Sequence, residues 1–255
     1  MPTGQVVDRD RPGAPDQGPG RGAGPEAKGH TVATSGGGEL DPEELASVSA
    51  SFESAPAGKV VAWAVERFGR DLSLACSFQD CVIVDIAVAV DPGIEVLFLD
   101  TGFHFPETLD YVEQVRARYD LNLRVLTPGP EAEAWPCGTE RCCELRKVRP
   151  LFAHLAGRRA WVTGLKRVDA ATRAQAPIVS RDAEHGLVKV NPLATWTDDD
   201  IAHYEADHGL LVHPLMTQGY RSIGCAPTTR PVAPGEDARA GRWAGSGKTE
   251  CGLHG

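Results

Sequence analysis

The residues best suited to chemistry in this chain are its cysteines. Cys251 sits in the closing run Glu250-Cys251-Gly252-Leu253-His254, almost at the carboxy terminus. A thiol carried on a chain end can swing towards a bound substrate, and Lys248 and His254 are close enough in sequence to favour the thiolate, the form that attacks. Cys142 and Cys143 are adjacent, while Cys225 stands alone in Ile223-Gly224-Cys225-Ala226-Pro227-Thr228-Thr229-Arg230. Vicinal cysteines in a helical stretch do not close a relaxed disulfide, so the spacing points to one mobile nucleophile and one fixed thiolate corner for an iron–sulfur or metal centre. Seven cysteines in 255 residues are too sparse for a disulfide scaffold, and their count is odd. Cys76 and Cys81 fall in apolar stretches and read as small core residues.

Cations gather beside these cysteines. Arg141, Arg146, Lys147 and Arg149 flank the vicinal pair; Lys166, Arg167 and Arg173 form a second group; Arg230, Arg239, Arg242 and Lys248 form a third. The whole chain nevertheless carries a formal charge of -9, which excludes general nucleic-acid binding. An acidic protein with a few cationic pockets reads as a binder of a small anion. His104, His185 and His213 have no metal-ligand spacing and read as structural or exposed, and Trp135, Trp161, Trp196 and Trp243 as packing groups.

Elements must bring these side chains together. Residues 1–38 are rich in Gly, Pro and small polar residues and are expected to be a disordered tail. Asp41-Pro42-Glu43-Glu44 predicts a capped helix start, and a second helix is expected over Lys59–Phe68, stopping near Gly69. From there strands and helices alternate: a strand at Leu72–Ala75, a helix from Asp80 to Val90, a strand at Ile94–Leu99, a helix at Pro106–Tyr119 and a strand at Leu121–Leu126. A helix near Glu140–Leu155, strands at Ala160–Thr163 and Val188–Val190, and a helix at Asp198–His208 follow. This rhythm implies an α/β fold, a parallel twisted sheet with helices on both faces. Ligands bind beyond the carboxyl ends of such strands, which draws Cys76-Ser77, Asp100-Thr101 and Gly164-Leu165-Lys166 to one rim. The division expected is a tail over 1–38, a nucleotide-binding α/β domain over 39–220, and an irregular segment over 221–255 that carries Cys225 and Cys251. No apolar run suits a signal peptide or a membrane span, so the cytoplasm and no membrane partner are expected.

Five motifs in order resemble the assimilatory sulfonucleotide reductases. They are Asp100-Thr101-Gly102-Phe103-His104-Phe105-Pro106-Glu107-Thr108, Cys142-Cys143-Glu144-Leu145-Arg146-Lys147, Val162-Thr163-Gly164-Leu165-Lys166-Arg167, Val188-Lys189-Val190-Asn191-Pro192-Leu193 and Lys248-Thr249-Glu250-Cys251-Gly252-Leu253-His254. The similarity runs from about Leu72 to the end. It implies an adenine-nucleotide α-hydrolase-like sheet of the PP-loop type. The activity implied is reduction of adenylyl sulfate (APS), or of its 3′-phosphorylated form (PAPS), to sulfite, with electrons from thioredoxin or a similar dithiol. Cys142-Cys143 resembles the branch that reduces APS and holds a 4Fe–4S cluster. By the same resemblance Lys147 lies between cluster and substrate, Arg239 and Arg242 contact the phosphosulfate, and Lys166, Arg167 and Arg173 border the nucleotide. Ser77 and Gln79 are expected to donate to the anionic group, with Asp100, Thr101 and Gly164 at the strand ends.

One position departs from the pattern. The family supplies cluster ligands as Cys-Cys and a later Cys-x-x-Cys, but here the later motif is Cys225-Ala226-Pro227-Thr228, and a hydroxyl is a poor iron ligand beside thiolates. Three arrangements are open: Cys142, Cys143 and Cys225 with a weak or exogenous fourth ligand, a set completed by Cys137, or an empty site. Zinc also lacks an obvious fourth ligand. Thr228-Thr229-Arg230 resembles the clusterless PAPS branch, so APS reduction is the first expectation and PAPS reduction the second. A non-catalytic iron–sulfur redox sensor would have little use for the cysteine tail. An ATP-using PP-loop ligase would need paired glycines where Cys76-Ser77-Phe78-Gln79-Asp80 stands. Homo-oligomer formation is left open by the sequence.

Overall fold

Short apolar strands separated by amphipathic helices bury both sheet faces only by layering. The computed structural model takes this solution and describes residues 40–243 with Lys248, Glu250, Gly252 and Leu253. The tail expected over 1–38, the nucleophile expected at Cys251 and its neighbour His254 lie outside the described residues.

Helix α1 (Pro42–Ser51) starts as its sequence dictates: the Asp41 side chain accepts from the Glu44 amide at 2.8 Å while the Glu44 carboxylate accepts from the Asp41 amide at 3.1 Å. Such a reciprocal cap is worth about 1 kcal/mol. Helix α2 (Ala57–Phe68) buries Val60, Val61, Ala64 and Phe68 on one face and ends at Gly69. Strand β1 (Leu72–Ala75) then enters the centre of the sheet. It pairs in parallel with β2 (Glu95–Leu99) on one side and β4 (Ala160–Thr163) on the other. Beyond β2 lies β3 (Leu123–Leu126), and beyond β4 lies β6 (Leu187–Val190), both parallel to their neighbours. Strand β5 (Val179–Asp182) closes that edge antiparallel to β6, giving the order β3-β2-β1-β4-β6-β5.

The sheet faces are unequal. Leu74, Val96, Phe98, Val162, Val188 and Val190 point into the larger core with α1, α2, α3 (Val82–Val90), α4 (Pro106–Tyr119) and α7 (Asp198–Asp207). Leu97, Trp161 and Leu187 point the other way, onto Leu151 and Leu155 of α6 (Arg149–Leu155) and onto Leu253 of the tail. This alternation is the two-residue period of a pleated strand, so one sheet separates two cores.

The expected α/β sheet with helices on both faces is present, with four local corrections. Strand β5 is a sixth, antiparallel strand that the sequence reading omits. Helix α3 begins at Val82 rather than Asp80, because the Asp80 carboxylate accepts from the Val82 amide at 3.1 Å and occupies the turn before it. Strand β3 begins at Leu123, since the Leu123 amide closes a tight turn onto the Leu121 carbonyl. The helix expected over 140–155 is broken in register: α5 (Glu140–Cys143) passes into a π-helical turn (Glu144–Val148) before α6. Pro150 explains the break, because it has no amide to continue the ladder and the wider turn absorbs the missing bond.

Candidate active site

Strand order reverses at β1, with β2 and β3 laid down on one side and β4 and β6 on the other. Between the carboxyl ends of β1 and β4 the loops therefore diverge and leave a crevice. A cavity of about 220 Å³ opens there, lined by Cys76, Ser77, Gln79 and Asp80 after β1 and by Gly164, Leu165 and Lys166 after β4. Lys147, Arg173, Arg239 and Arg242 reach it from other segments.

The loop after β1 is held in an unusual shape. Phe78 has φ +55 although it is not glycine, and its ring is fully buried edge-on against Phe98 at 5.5 Å. A left-handed non-glycine residue is strained by roughly 1–3 kcal/mol, and the buried aromatic ring offsets it. The Phe78 amide points at Cys76 Sγ (3.3 Å), and Gln79 Oε1 accepts from the Ile223 amide at 2.8 Å. Gln79 thus ties the C-terminal segment to the loop as well as facing the cavity. Burial pushes the Asp80 carboxyl above the usual carboxylate range and the Cys76 thiol well above its own. Cys76 is therefore a protonated wall group at neutral pH, not a second nucleophile.

The cations divide into committed and uncommitted groups. Lys166 is held by Asp198 and by Asp169 at 3.4 Å; burial opposes its charge, but these carboxylates keep its pKa above the ordinary lysine value. Arg173 makes two parallel bonds to Glu250, of 2.7 and 2.6 Å, and a third to Asp169 at 3.3 Å. Arg239 lies 3.8 Å from the same Glu250 carboxylate, and Arg242 donates to the Ile223 carbonyl at 3.0 Å while stacking 4.6 Å from the Trp243 ring. Lys147 is half-buried, and no carboxylate among the described residues pairs with it. It projects from the π-helical turn, where i to i+5 bonding turns its side chain towards the cavity.

A second, much smaller cavity adjoins the first. Thr101, Cys137, Cys142, Cys143, Cys225 and Thr228 line it, and it shares Lys147, Arg242 and Trp243 with the larger one. Cys142, Cys143 and Cys225 are buried and line this cavity together. Lys248 Nζ lies 3.0 Å from Cys143 Sγ, and the Thr101 hydroxyl 3.5 Å from Cys225 Sγ. The neighbouring Cys137 thiol first, then Lys147 and Thr101, hold the Cys225 thiol far below its ordinary range despite burial, while the nearness of Cys225 and burial push Cys137 up. Among the described residues no three His, Cys, Asp or Glu side chains converge on a point as for a single ion. A cluster differs from an ion in needing thiolates spread around a void.

Other expected positions are corrected. Asp100 is not among the residues lining the larger cavity: its carboxylate accepts from the Gly102 amide at 2.9 Å and shapes the turn after β2. Thr101 faces the thiol cavity instead. Arg167 points away, locked to Glu53 by bonds of 2.8 and 2.7 Å and to the Ala176 carbonyl. Cys76, His104, Trp161 and Trp243, read as packing or structural groups, line the larger cavity as well. Trp135 is 41% exposed and packs little. Asp80 and Asp198 also line the larger cavity; Asp80 follows the end of β1, whereas Asp198 opens α7 and carries no strand-end signal. Cys81 and His213 are buried as expected, His213 Nε2 meeting Thr108 Oγ1 at 3.1 Å.

The described part of the closing segment meets this site. Glu250 pairs with Arg173, and Leu253 packs in the smaller core and lines the cavity. Residues 71–231 match the family model described as phosphoadenosine phosphosulfate reductase domain. A Streptomyces coelicolor protein named adenosine 5'-phosphosulfate reductase is 48% identical over 213 residues, covering 80% of this chain and 90% of its own. Among solved structures, the phosphoadenylyl-sulfate (PAPS) reductase of Candida auris in a phosphate complex superposes with a TM-score of 0.66 at 25% identity, covering 75% of this chain and 98% of that one. Candida glabrata FMN adenylyltransferase shares the fold alone, at 12% identity and a TM-score of 0.54 over 74% of each chain.

Proposed function

The chain belongs to the phosphoadenosine phosphosulfate reductase family, and from that premise we propose that it reduces APS to sulfite and AMP with thioredoxin or a similar dithiol as donor. The observation that carries this reading is the wall of Lys147, Arg242 and Trp243 shared by a cationic strand-end cavity and a cysteine-lined one. APS is preferred over PAPS on the names of the relatives and on the vicinal pair Cys142-Cys143.

The steps follow from the chemistry of a thiolate and a sulfonucleotide. Gly164 and Leu165, beyond β4, and Ser77, beyond β1, border the nucleotide. Lys147, Arg239 and Arg242 face the phosphosulfate, arginine by paired hydrogen bonds and lysine as a point charge. The Cys251 thiolate attacks the sulfate sulfur, the S–O bond to phosphate breaks, and its electron pair leaves on AMP, whose developing charge the cations stabilise. The sulfonate is then bonded to Cys251 Sγ. One thiolate of the external dithiol attacks that sulfur, sulfite departs with the S–S bonding pair, and the second donor thiol closes a disulfide and returns Cys251 as a thiol. The donor is oxidised by the two electrons that the sulfur gains.

Residues 221–255 act in this proposal as the segment that brings Cys251 to the cavity, supported by Glu250 and Leu253 at its margin. Cys142, Cys143 and Cys225 would hold a 4Fe–4S cluster. Their buried thiols around one cavity, with Lys147 and Lys248 to balance a net negative centre, fit such a group. A bound cluster would supply a rigid anionic anchor joining the vicinal pair to Cys225. A reducing compartment keeps these thiols available, so the proposal places the protein in the cytoplasm.

Sulfite release by anaerobically purified protein, with thioredoxin and either APS or PAPS, tests the reading. Turnover of APS that Cys251→Ser abolishes is expected; full turnover by that variant would sink the mechanism. PAPS reduction is the second reading, favoured by Thr228-Thr229-Arg230, and a strong preference for PAPS would establish it instead.

A further inference from the structure

The cavity around the vicinal cysteines has a fourth thiol in its wall. Cys137 shares it with Cys142, Cys143 and Cys225, and Cys137 Sγ lies 3.8 Å from Thr228 Oγ1. Thr228 is the residue three beyond Cys225, where a hydroxyl stands in place of a soft donor. Four thiolates normally hold a 4Fe–4S centre. The described residues place four thiols, and no more, around this void.

We propose that Cys137 is the fourth thiolate of the iron–sulfur site, substituting for the missing ligand at Thr228; the inference rests on the reading of the site as a cluster site. The loop is built to bring it there. Gly138 has φ +96, and a Cβ at that position would come within 2.9 Å of Thr228 Cγ2, so only glycine lets the loop close on Thr228. Thr139 caps α5 by accepting from the Cys142 amide at 3.2 Å, which fixes the path from Cys137 to the vicinal pair. Lys248 Nζ reaches both the Thr139 carbonyl (3.3 Å) and Cys143 Sγ, fastening the loop to the thiol it must join. From the other side the Thr228 carbonyl accepts from the Trp243 amide at 2.8 Å, holding Thr228 in the wall. A simple thiol–hydroxyl contact between Cys137 and Thr228 is the alternative, and it makes no demand on iron content.

The experiment is anaerobic purification or reconstitution of wild type, Cys137→Ser, Thr228→Cys and Cys137→Ser/Thr228→Cys. Iron and acid-labile sulfide per chain, visible absorbance, and the yield of three-iron clusters on mild oxidation are read out. The wild type is expected to hold a full 4Fe–4S complement that resists loss of one iron. Cys137→Ser should lose most of its iron or convert readily to the three-iron form, and the double variant should regain the wild-type complement. A Cys137→Ser variant with unchanged iron, sulfide and oxidation behaviour would overturn the proposal, as would a wild type that binds no cluster. Sulfite release is scored separately: a cluster-replete wild type that turns over no sulfonucleotide refutes the enzyme reading and leaves the ligand assignment standing. Turnover by a wild type whose iron is indifferent to Cys137 does the reverse.

Discussion

Glu250 engages two arginines of the cavity wall, Arg173 and Arg239, in the way an anionic ligand would. Its carboxylate takes both parallel donors of Arg173 and approaches Arg239, with side chains only 15% and 8% exposed for Glu250 and Arg173. A phosphosulfate reaching those arginines competes with it. Glu250→Gln is therefore expected to tighten sulfonucleotide binding by about tenfold, since one charge-assisted bond is worth roughly 1.5–3 kcal/mol and the substrate recovers part of that. It should also slow turnover, because the cysteine segment loses its tether. Titration with AMP and APS beside steady-state rates checks both, and unchanged affinity would show that substrate leaves the pair intact. Burial pushes the Glu250 carboxyl up, but Arg173 and Arg239 more than offset this and hold it below the ordinary range. The pair thus stabilises the protein above the unfolded carboxylate pKa, and the advantage of wild type over Glu250→Gln disappears as pH falls through the lowered value. Residue type alone showed which side chains suit an anion, but not which were already satisfied. Lys166, Arg167 and Arg173 look alike in sequence, yet Arg167 is turned away by Glu53, a residue 114 positions distant. Lys147 faces the cavity, and no carboxylate among the described residues pairs with it.

Lys147 owes its direction to an element that no pattern in the sequence announces. The stretch from Glu140 to Leu155 has the apolar spacing of one helix, and Pro150 is the only irregular signal. In the structure the Arg149 amide bonds to the Glu144 carbonyl, five residues back, and the turn widens by one residue. Each residue of an α-helix advances about 100° around its axis, so closing the π turn rotates Lys147 off the cavity relative to α6. Pro150→Ala restores an amide and permits an unbroken helix. We expect little change in stability, within about 1 kcal/mol, because a gained hydrogen bond is set against lost packing. APS turnover should nevertheless fall about tenfold or more as the cation leaves its place, as expected for a misplaced charge at a reacting centre. Wild-type kcat/KM in a folded Pro150→Ala protein would show that the π turn does not position Lys147. Helices α2 and α3 and strands β1, β2 and β4 were legible because each buries an apolar face, and start or stop signals such as those at Asp41 and Gly69 marked helix ends. Strand β5 was not: only Val179 of Val179-Ser180-Arg181-Asp182 is buried, and an edge strand with one solvated face leaves almost no periodicity to read.

Across the whole molecule, two titrating groups, one buried and one half-buried, oppose each other. His213 is buried; desolvation lowers its pKa to about 4, with its Nδ1 accepting from the Leu215 amide at 3.2 Å and its Nε2 meeting Thr108. Between that value and the ordinary histidine pKa the unfolded chain binds the extra proton, so stability rises with pH, by about 3 kcal/mol in all. Glu205 behaves in the opposite sense. Burial first, then the charge of Asp80, raise its pKa to about 7, so the folded chain holds the extra proton above the ordinary glutamate pKa and stability falls as pH rises. Its partial exposure makes that contribution the smaller of the two. Between about pH 4.5 and 6.5 these two contributions oppose each other, so their sum varies less with pH than either alone. Replacing one group exposes the other. In His213→Gln, which keeps a neutral polar side chain, the remaining Glu205 term should make unfolding free energy decline from pH 4.5 to 7. In Glu205→Gln the His213 term should make it climb from pH 4 to 6.5 and level off above. Urea unfolding of the three proteins at half-unit pH steps reads both slopes directly. Parallel profiles would mean that neither group changes its proton affinity on folding.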